Sequence, residues 1–251
     1  YDGRWNMSSL ENKVAVITGG GSGLGEGIVR AFCKEGAQVA IIDNNVVSAR
    51  QLADEITDSG GIAIALQADV GDESDVTKAF KQVMNTLGNP DILVNNAGID
   101  TTSLLEDMSI ELWDEMMRVN LRSMFLCTRE VIQGMKEKNW GRIINFSSQL
   151  AHKGAPTMVH YCASKGGVLS FSRALAYELI EYGITVNSIC PGPIETPLYM
   201  AIPEEWRQAK ESSMPIGRPG RVDEVVPTVL LLASEKGSNY VGASMNMNGG
   251  D

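Results

Sequence analysis

Short apolar runs, most of them rich in valine and isoleucine, alternate with amphipathic stretches along most of the chain. The candidate strands read VAVITGG, QVAIID, IAIALQADV, DILVNNAG, GRIINFSS, TVNSICPG and SMNMNGG. Apolar runs without polar alternation are typical of strands buried on both faces, and their exchange with helices favours a parallel sheet with right-handed crossovers. We therefore predict an α/β protein with a doubly wound parallel sheet of about seven strands, flanked by helices.

A glycine-rich loop, TGGGSGLG from Thr18 to Gly25, follows the first predicted strand and opens a helix. Glycines at such a place let the backbone approach a pyrophosphate closely, and the amides at the N-terminus of the helix face the same charge. The position of the loop predicts a dinucleotide site in a sheet of the Rossmann type.

Asp43 ends the second predicted strand, at the distance from the loop where a carboxylate holds the adenosine ribose. A carboxylate there accepts hydrogen bonds from both ribose hydroxyls and repels a 2′-phosphate. No arginine or lysine lies in the loop or in DNNVV, which starts at Asp43, so we expect NAD rather than NADP. The alternative is that Asp43 caps the next helix.

The stretch HYCASKGG places Tyr161 and Lys165 four positions apart, on one face of a predicted helix. A nearby ammonium favours the phenolate and lowers the pKa of a tyrosine, which is then suited to general acid–base catalysis. Tyrosine and lysine also occur at this spacing by chance, so the motif alone leaves a structural role open.

Composition limits the classes of protein to which the chain can belong. Its 251 residues, 43% of them hydrophobic, favour one domain over residues 1–251, with residues 1–9 as a flexible terminus. A net charge of −10 argues against nucleic acid as a partner. We find neither an apolar run of about 20 residues nor a basic, apolar leader, and so expect a cytoplasmic protein without membrane contact.

The four cysteines, Cys33, Cys127, Cys162 and Cys190, form no CxxC pair and show no zinc-ligand spacing with either histidine. We expect reduced thiols and no metal site.

Five motifs occur in order: TGGGSGLG, NNAG, INFSS, YCASK and CPGPIET. In order and spacing they resemble the short-chain dehydrogenase/reductase family, from about Val14 to Gly250. The chain departs from the family's frequent ending Val-Asp-Gly-Gly, since Asn248 stands at the acidic position.

The resemblance implies a catalytic set. Tyr161 would be the general acid/base, Lys165 would lower its pKa and hold the nicotinamide ribose, and Ser148 would bind the substrate oxygen. Ser147 is the less favoured neighbour, because side chains alternate along a strand. Asn120, in RVNLRS, would support a water chain to the lysine.

The resemblance also implies contacts to the cofactor NAD, from the glycine loop to the segment that follows the sixth strand. The expected cofactor-binding residues are Gly19, Ser22, Gly23, Leu24, Gly25, Asp43, Asp69, Val70, Asn96, Gly98, Tyr161, Lys165, Pro191, Gly192, Ile194 and Thr196.

The implied reaction, of the EC 1.1.1 type, is hydride transfer between NAD and a secondary alcohol or ketone. We expect residues 193–217 to form a substrate-binding lid with an apolar underside. Gln149, His152, Leu198 and Trp206 are the candidate substrate-lining residues. The alternatives are a 3-oxoacyl thioester reductase of the fatty-acid type and a non-catalytic dinucleotide-binding regulator.

Two predicted helices, over residues 110–135 and 166–180, are apolar most of the way round. A surface helix normally has one apolar stripe, so the additional apolar surface predicts a second contact. We expect these helices to form a subunit interface in a homo-oligomer, a dimer or a tetramer.

Overall fold

The computed structural model describes residues 10–202 and 204–251. The prediction of a flexible terminus over residues 1–9 falls outside the described residues.

The strands form one seven-stranded sheet in the order β3-β2-β1-β4-β5-β6-β7, and every neighbouring pair is parallel. The strands are β1 Val14–Thr18, β2 Gln38–Asp43, β3 Ile62–Gln67, β4 Ile92–Asn95, β5 Gly141–Phe146, β6 Ile184–Pro191 and β7 Ser244–Met247. The order reverses between β1 and β4, which confirms the predicted doubly wound sheet.

Helices cover both faces of the sheet. They are α1 Gly23–Lys34, α2 Val46–Asp58, α3 Glu73–Thr86, α4 Ile110–Met117, α5 Ser123–Lys138, α6 Leu150–Lys153, α7 Val159–Leu179, α8 Pro197–Met200, α9 Glu204–Ser213 and α10 Val222–Ala233. Helices α1, α2 and α10 contribute to one apolar layer, and α3, α5 and α7 to the other. Within the described residues, no helix has the length and apolar character needed to cross a lipid bilayer.

The first strand shows why its sequence lacks alternation. Ala15 and Ile17 pack into one apolar layer, while Val14 and Val16 pack into the other, and each is at most 5% exposed. Burying a valine or isoleucine side chain contributes about 1.5–3 kcal/mol, so both faces of the strand need apolar residues.

The helix predicted over residues 110–135 is interrupted by a wider turn of π-helix, Arg118–Arg122, which joins α4 to α5. Such turns are frequent at functional sites. This one carries Asn120, whose buried side chain bonds to the backbone of Ile99 in both directions. The sequence pattern did not predict the interruption, because apolar residues continue through it.

Where the strand order reverses, the ends of β1 and β4 are joined by side chains. The side-chain Nδ2 of Asn96 donates to the carbonyl oxygens of Thr18 and Gly19, at 3.1 and 2.9 Å. In open parallel sheets, ligands bind in the crevice at this point.

Candidate active site

A cavity of about 540 Å³ lies at the carboxyl ends of the strands. Its lining includes Gly19, Ser22, Gly23, Leu24, Asp43, Asp69, Val70, Asn96, Gly98, Asp100, Arg118, Ser148, Tyr161, Lys165, Pro191, Gly192, Ile194, Thr196 and Leu198. A larger cavity, of about 800 Å³, opens between α4, α5 and α7 and contains none of the predicted catalytic residues. The smaller cavity therefore brings together nearly all residues that the sequence assigned to cofactor and chemistry.

The backbone of the glycine loop is packed so tightly against itself that a side chain at Gly25 would not fit. A Cβ on Gly25 would lie 2.0 Å from the carbonyl oxygen of Gly19, and Gly19 itself has a φ of +61°. Helix α1 begins at Gly23, and the side chain of Ser22 caps none of its first amides. Helix-start amides that no Ser22 side chain caps, next to glycines without β-carbons, fit a pyrophosphate.

Asp43 is held at the end of β2 by two backbone amides. Its carboxylate accepts a hydrogen bond from the amide of Gly21 at 2.9 Å and from that of Asn45 at 2.8 Å. The cap of α2 is instead Asn45, whose side chain accepts from the amides of Val47 and Ser48. The alternative role of Asp43 as the helix cap is therefore wrong, and its carboxylate faces the cavity.

Asp69, after β3, is paired with an arginine that the sequence analysis missed. Nη1 of Arg118 donates to Asp69 at 2.8 Å, while the same guanidinium bonds to Glu115 at 2.6 and 2.8 Å. The side chain of Arg118 lowers the pKa of Glu115, and the two carboxylates raise that of Arg118. Arg118 thus forms a wall of the cavity with its charge already compensated.

Tyr161 and Lys165 lie one turn apart on α7 and both line the cavity. Nζ of Lys165 donates to the carbonyl oxygen of Phe146 at 2.8 Å and lies 5.7 Å from the centre of the Tyr161 ring. Burial lowers the pKa of Lys165 to about 8, against the opposing effect of Asp100.

The pKa of Tyr161 differs from the sequence-based expectation. Burial raises it to about 12, and the neighbouring hydroxyl of Ser148 only partly opposes that shift. The expected lowering of this pKa by Lys165 is not found, because the free-energy cost of removing the phenolate from water exceeds the stabilisation that the surrounding groups give it. At neutral pH the phenol of Tyr161 therefore carries its proton.

The two serines after β5 have different partners. Oγ of Ser147 donates to the carbonyl oxygen of Lys165 at 2.8 Å and so ties β5 to α7. Oγ of Ser148 accepts from the amide of Leu150 at 3.1 Å and remains beside Tyr161. Ser148 therefore lines the cavity beside Tyr161, while the hydroxyl of Ser147 is engaged by the backbone of α7.

Asn120 lies behind the cavity wall rather than in its lining. Its Oδ1 accepts from the amide of Ile99 at 2.8 Å, and its Nδ2 donates to the carbonyl oxygen of Ile99 at 2.9 Å. A Cβ on Gly98 would lie 3.2 Å from Oδ1 of Asn120 and 3.4 Å from Nζ of Lys165. Asn120 is therefore a positioning residue for the backbone beside Lys165.

The segment after β6 closes the cavity on the side of the glycine loop. Pro191, Gly192, Ile194 and Thr196 all line it, and a Cβ on Gly23 would lie 3.3 Å from the methyl carbon of Thr196. The first and last predicted cofactor segments therefore meet in space.

Of the candidate substrate-lining residues, only Leu198 lies in the cavity lining. The amide of Gln149 donates to the carboxylate of Asp251, His152 is exposed on α6, and Trp206 is 51% exposed on α9. Other lid residues do turn inward, since Tyr199 and Met214 are buried.

Asp251 connects the predicted lid to the turn after β5. Its carboxylate accepts from Lys153 of α6 and from Lys210 of α9, each at 2.6 Å. Burial alone would raise its pKa, but these ammonium groups and Gln149 lower it to about 2. Because the side-chain Nε2 of Gln149 donates to Asp251, this nitrogen is already engaged.

Asp100 is a second cavity residue that the sequence analysis missed. Its half-buried carboxylate has a pKa raised by burial and lowered in part by Lys165. The sequence feature that could have predicted its place in the cavity is its position two residues after the NNAG motif.

Within the described residues, no group of three or more histidine, cysteine or acidic side chains is arranged to hold a metal ion.

Comparison with known proteins gives a consistent family. Residues 13–207 match the family model described as short chain dehydrogenase. The chain is 36% identical over 242 residues to a 3-oxoacyl-acyl-carrier-protein reductase of Aquifex aeolicus, covering 96% of this chain and 98% of the relative. It is 34% identical over 247 residues to 2-(S)-hydroxypropyl-CoM dehydrogenase 3 of Xanthobacter autotrophicus, covering 96% and 97%.

Among solved structures, a short-chain type dehydrogenase/reductase from Mycobacterium marinum superposes with a TM-score of 0.93 at 32% identity, covering 98% of this chain and 97% of that one. The sequence match and the fold agree over nearly the whole chain. The chain therefore belongs to the short-chain dehydrogenase/reductase family, whose members are oxidoreductases acting on alcohol or ketone substrates.

Proposed function

We propose that the protein is an NAD-dependent oxidoreductase that transfers a hydride between the nicotinamide and a secondary alcohol or ketone. The observation that carries the proposal is one cavity lined by the glycine loop, Asp43, Ser148, Tyr161 and Lys165. A tyrosine and a serine at one end, with a dinucleotide cradle at the other, suit hydride transfer at a carbonyl carbon.

In this mechanism the bound nicotinamide supplies or accepts the hydride. Oη of Tyr161 gives its proton to the carbonyl oxygen during reduction and removes the hydroxyl proton during oxidation. The hydroxyl of Ser148 donates to the same oxygen and stabilises its developing negative charge. Lys165, whose Nζ donates to the carbonyl oxygen of Phe146, would hold the nicotinamide ribose when the cofactor is bound.

The protonation state of Tyr161 favours reduction at neutral pH. With a pKa of about 12, its phenol keeps the proton that a carbonyl oxygen must receive. Oxidation requires the phenol to have lost that proton, so we expect kcat for oxidation, measured as a function of pH, to rise from neutral pH into the alkaline range.

Charge around Asp43 supports NAD as the cofactor. A 2′-phosphate would lie against the carboxylate, and Asn44 and Asn45 that follow it are neutral. The two cationic side chains in the described lining are committed elsewhere: Arg118 to Asp69 and Glu115, and Lys165 to a carbonyl oxygen.

Exchanging the charge at this point is expected to change the cofactor. The double change Asp43→Ser with Asn44→Arg should reduce the ratio of kcat/KM for NAD over NADP about 100-fold, because like-charge repulsion is replaced by attraction. Asp54→Asn on the exposed face of α2 removes one charge as well and should leave the ratio unchanged. A wild-type enzyme that prefers NADP would contradict the assignment.

The segment 193–217 is proposed as the substrate lid. Leu198, Tyr199 and Ile202 line the cavity, and the hydroxyl of Tyr199 donates to Glu211 at 2.9 Å. Lys210 holds the same segment to Asp251. An apolar underside with few polar points fits a small or medium secondary alcohol or ketone.

A second copy of the chain is proposed to cover α4, α5 and α7. Ile110, Phe125 and Tyr177 on these helices are 74%, 47% and 73% exposed, and the 800 Å³ cavity lies between the same helices. Exposed apolar side chains clustered on neighbouring helices are typical of an interface.

Sedimentation of the purified chain at micromolar concentration is expected to give the mass of a dimer or tetramer. Phe125→Glu should lower that mass, since burying an unpaired charge in an interface is costly. Val47→Glu, at a 73% exposed position of α2, is the matched control and should leave the mass unchanged. A monomeric mass for the wild type would rule out the interface.

The competing function is reduction of 3-oxoacyl thioesters. It is favoured by the relative of Aquifex aeolicus, a 3-oxoacyl-acyl-carrier-protein reductase. Absorbance at the NADH band, with secondary alcohols, ketones and an acetoacetyl thioester as substrates and both dinucleotides as cofactors, separates the two. Dinucleotide binding without turnover of any substrate would instead favour a regulator.

A further inference from the structure

Asp100 lies on a backbone segment that runs from the glycine loop to the catalytic helix. The segment starts at Asn96, bonded to Gly19, and passes Gly98 beside Nζ of Lys165. Beyond Lys165 it carries Asp100 into the cavity. Asp100 therefore shares the cavity with Tyr161 and Lys165, and its charge acts on both side chains.

The backbone on both sides of Asp100 is fixed. Ile99 is bonded to Asn120 through its amide and its carbonyl, at 2.8 and 2.9 Å. The hydroxyl of Thr101 lies 2.7 Å from Nε2 of His160, which is buried and directly precedes Tyr161 on α7. Anchoring on both sides holds a side chain in a defined place, as a binding residue requires.

Further anchoring follows along the chain. The amide of Ser103 donates to the carbonyl oxygen of Thr157 at 2.8 Å, in the turn before α7. Residues 99–103 are therefore bonded at three points, to the π turn, to α7 and to the turn before it. These bonds tie the segment that carries Asp100 to the helix that carries Tyr161.

We propose that Asp100 is a substrate-binding residue. Its carboxylate accepts a hydrogen bond from a hydroxyl group on the carbon next to the reacting carbinol or carbonyl carbon, an inference that rests on the proposed function. The substrate class is then a vicinal diol or the matching α-hydroxy ketone. Ser148 and Tyr161 bind the reacting oxygen, and Asp100 binds the second one.

The charges around Asp100 favour a neutral donor. Lys165 already acts on Asp100 electrostatically, so an ammonium group on the substrate would be drawn to Asp100 and repelled by Lys165. A carboxylate on the substrate would be repelled by Asp100. A thioester carbonyl offers only acceptors and would donate no hydrogen bond to the half-buried carboxylate of Asp100.

The test compares cyclohexane-1,2-diol, in its cis and trans forms, with cyclohexanol in NAD-dependent oxidation. The wild type is expected to have a kcat/KM at least about 10-fold higher for one diol, because a hydrogen bond to a charged group contributes that much discrimination. Asp100→Leu should lower the ratio of kcat/KM for that diol over kcat/KM for cyclohexanol about 10-fold to 100-fold, because any change in the charge environment of Lys165 and Tyr161 affects both substrates alike. Asp100→Asn, which keeps an acceptor but loses the charge, should fall between.

Asp107→Asn, at an exposed position of the same segment, is the matched control and should behave as wild type on both substrates. Thermal unfolding and NADH fluorescence show whether each variant folds and binds cofactor. If Asp100→Leu does not fold, Asp100→Asn alone decides the comparison. If neither substrate is oxidised, diol binding to the NADH complex of wild type and Asp100→Asn is compared with cyclohexanol binding.

Equal effects of Asp100 substitution on diol and cyclohexanol, or no effect on either, would overturn the proposal. So would a wild-type preference for cyclohexanol, for 2-aminocyclohexanol or for an acetoacetyl thioester. A different result would contradict the proposed function itself: the Tyr161→Phe variant would turn over every tested substrate at the wild-type rate.

Discussion

Tyr161→Phe is expected to lower kcat by about 10³-fold or more on any substrate that the enzyme turns over. The substitution removes only the hydroxyl that gives and takes the proton, and such transfer contributes about 10²–10⁴-fold. The ring of Phe keeps the packing of the half-buried side chain. Dinucleotide affinity, measured by NADH fluorescence, should therefore stay within about twofold, because a lost transition-state interaction affects kcat rather than cofactor binding.

Tyr177→Phe is the matched control, since Tyr177 lies on the same helix and is 73% exposed. It should leave both kcat and affinity unchanged. A Tyr161→Phe enzyme with activity near that of the wild type would remove Tyr161 from the mechanism. A parallel loss of NADH affinity would show that the substitution had disturbed the cavity instead.

Gly25→Ala is expected to weaken dinucleotide binding about 10-fold to 100-fold and to lower the thermal midpoint by several degrees. The added Cβ would lie 2.0 Å from the carbonyl oxygen of Gly19 and 2.8 Å from the side-chain Nδ2 of Asn96. Since the first atom belongs to the backbone, the loop itself must move, at a cost of about 1–3 kcal/mol or more. That movement displaces the amides that face the pyrophosphate.

Gly166→Ala provides the control for inserting a methyl group. Gly166 lies within α7, where a Cβ would meet no atom within 4 Å. Alanine in a helix interior is favoured over glycine by about 0.8–1.0 kcal/mol, so this variant should unfold at a slightly higher temperature. Titration of NADH against both variants measures the binding. Unchanged affinity in Gly25→Ala would mean that the loop does not hold the pyrophosphate.

Several features of this protein follow from short stretches of its sequence. Runs such as VAVIT predict a strand buried on both faces, because each face must be apolar. The place of TGGGSGLG after the first strand predicts the dinucleotide cradle, since the turn and the helix start are local. Tyr161 and Lys165 share a face because helical geometry places residues four apart together.

Other predictions from sequence failed where the outcome depends on distant residues. Gln149 follows Ser148 directly and was expected near the substrate, yet its side-chain amide donates to Asp251, 102 residues further along the chain. The pKa of Tyr161 is raised rather than lowered, because burial depends on every element that packs around the ring.

The sequence by itself determined the order of strands and helices, the glycine loop before α1 and the shared helical face of Tyr161 and Lys165, because these depend on neighbours within one or two turns of chain. Only the tertiary structure decided which further side chains enter the cavity. Asp100 and Arg118 reach it because the segment after β4 and the π turn before α5 converge there. Contacts between segments distant in sequence leave no local pattern, and they are what shape the substrate end of the cavity.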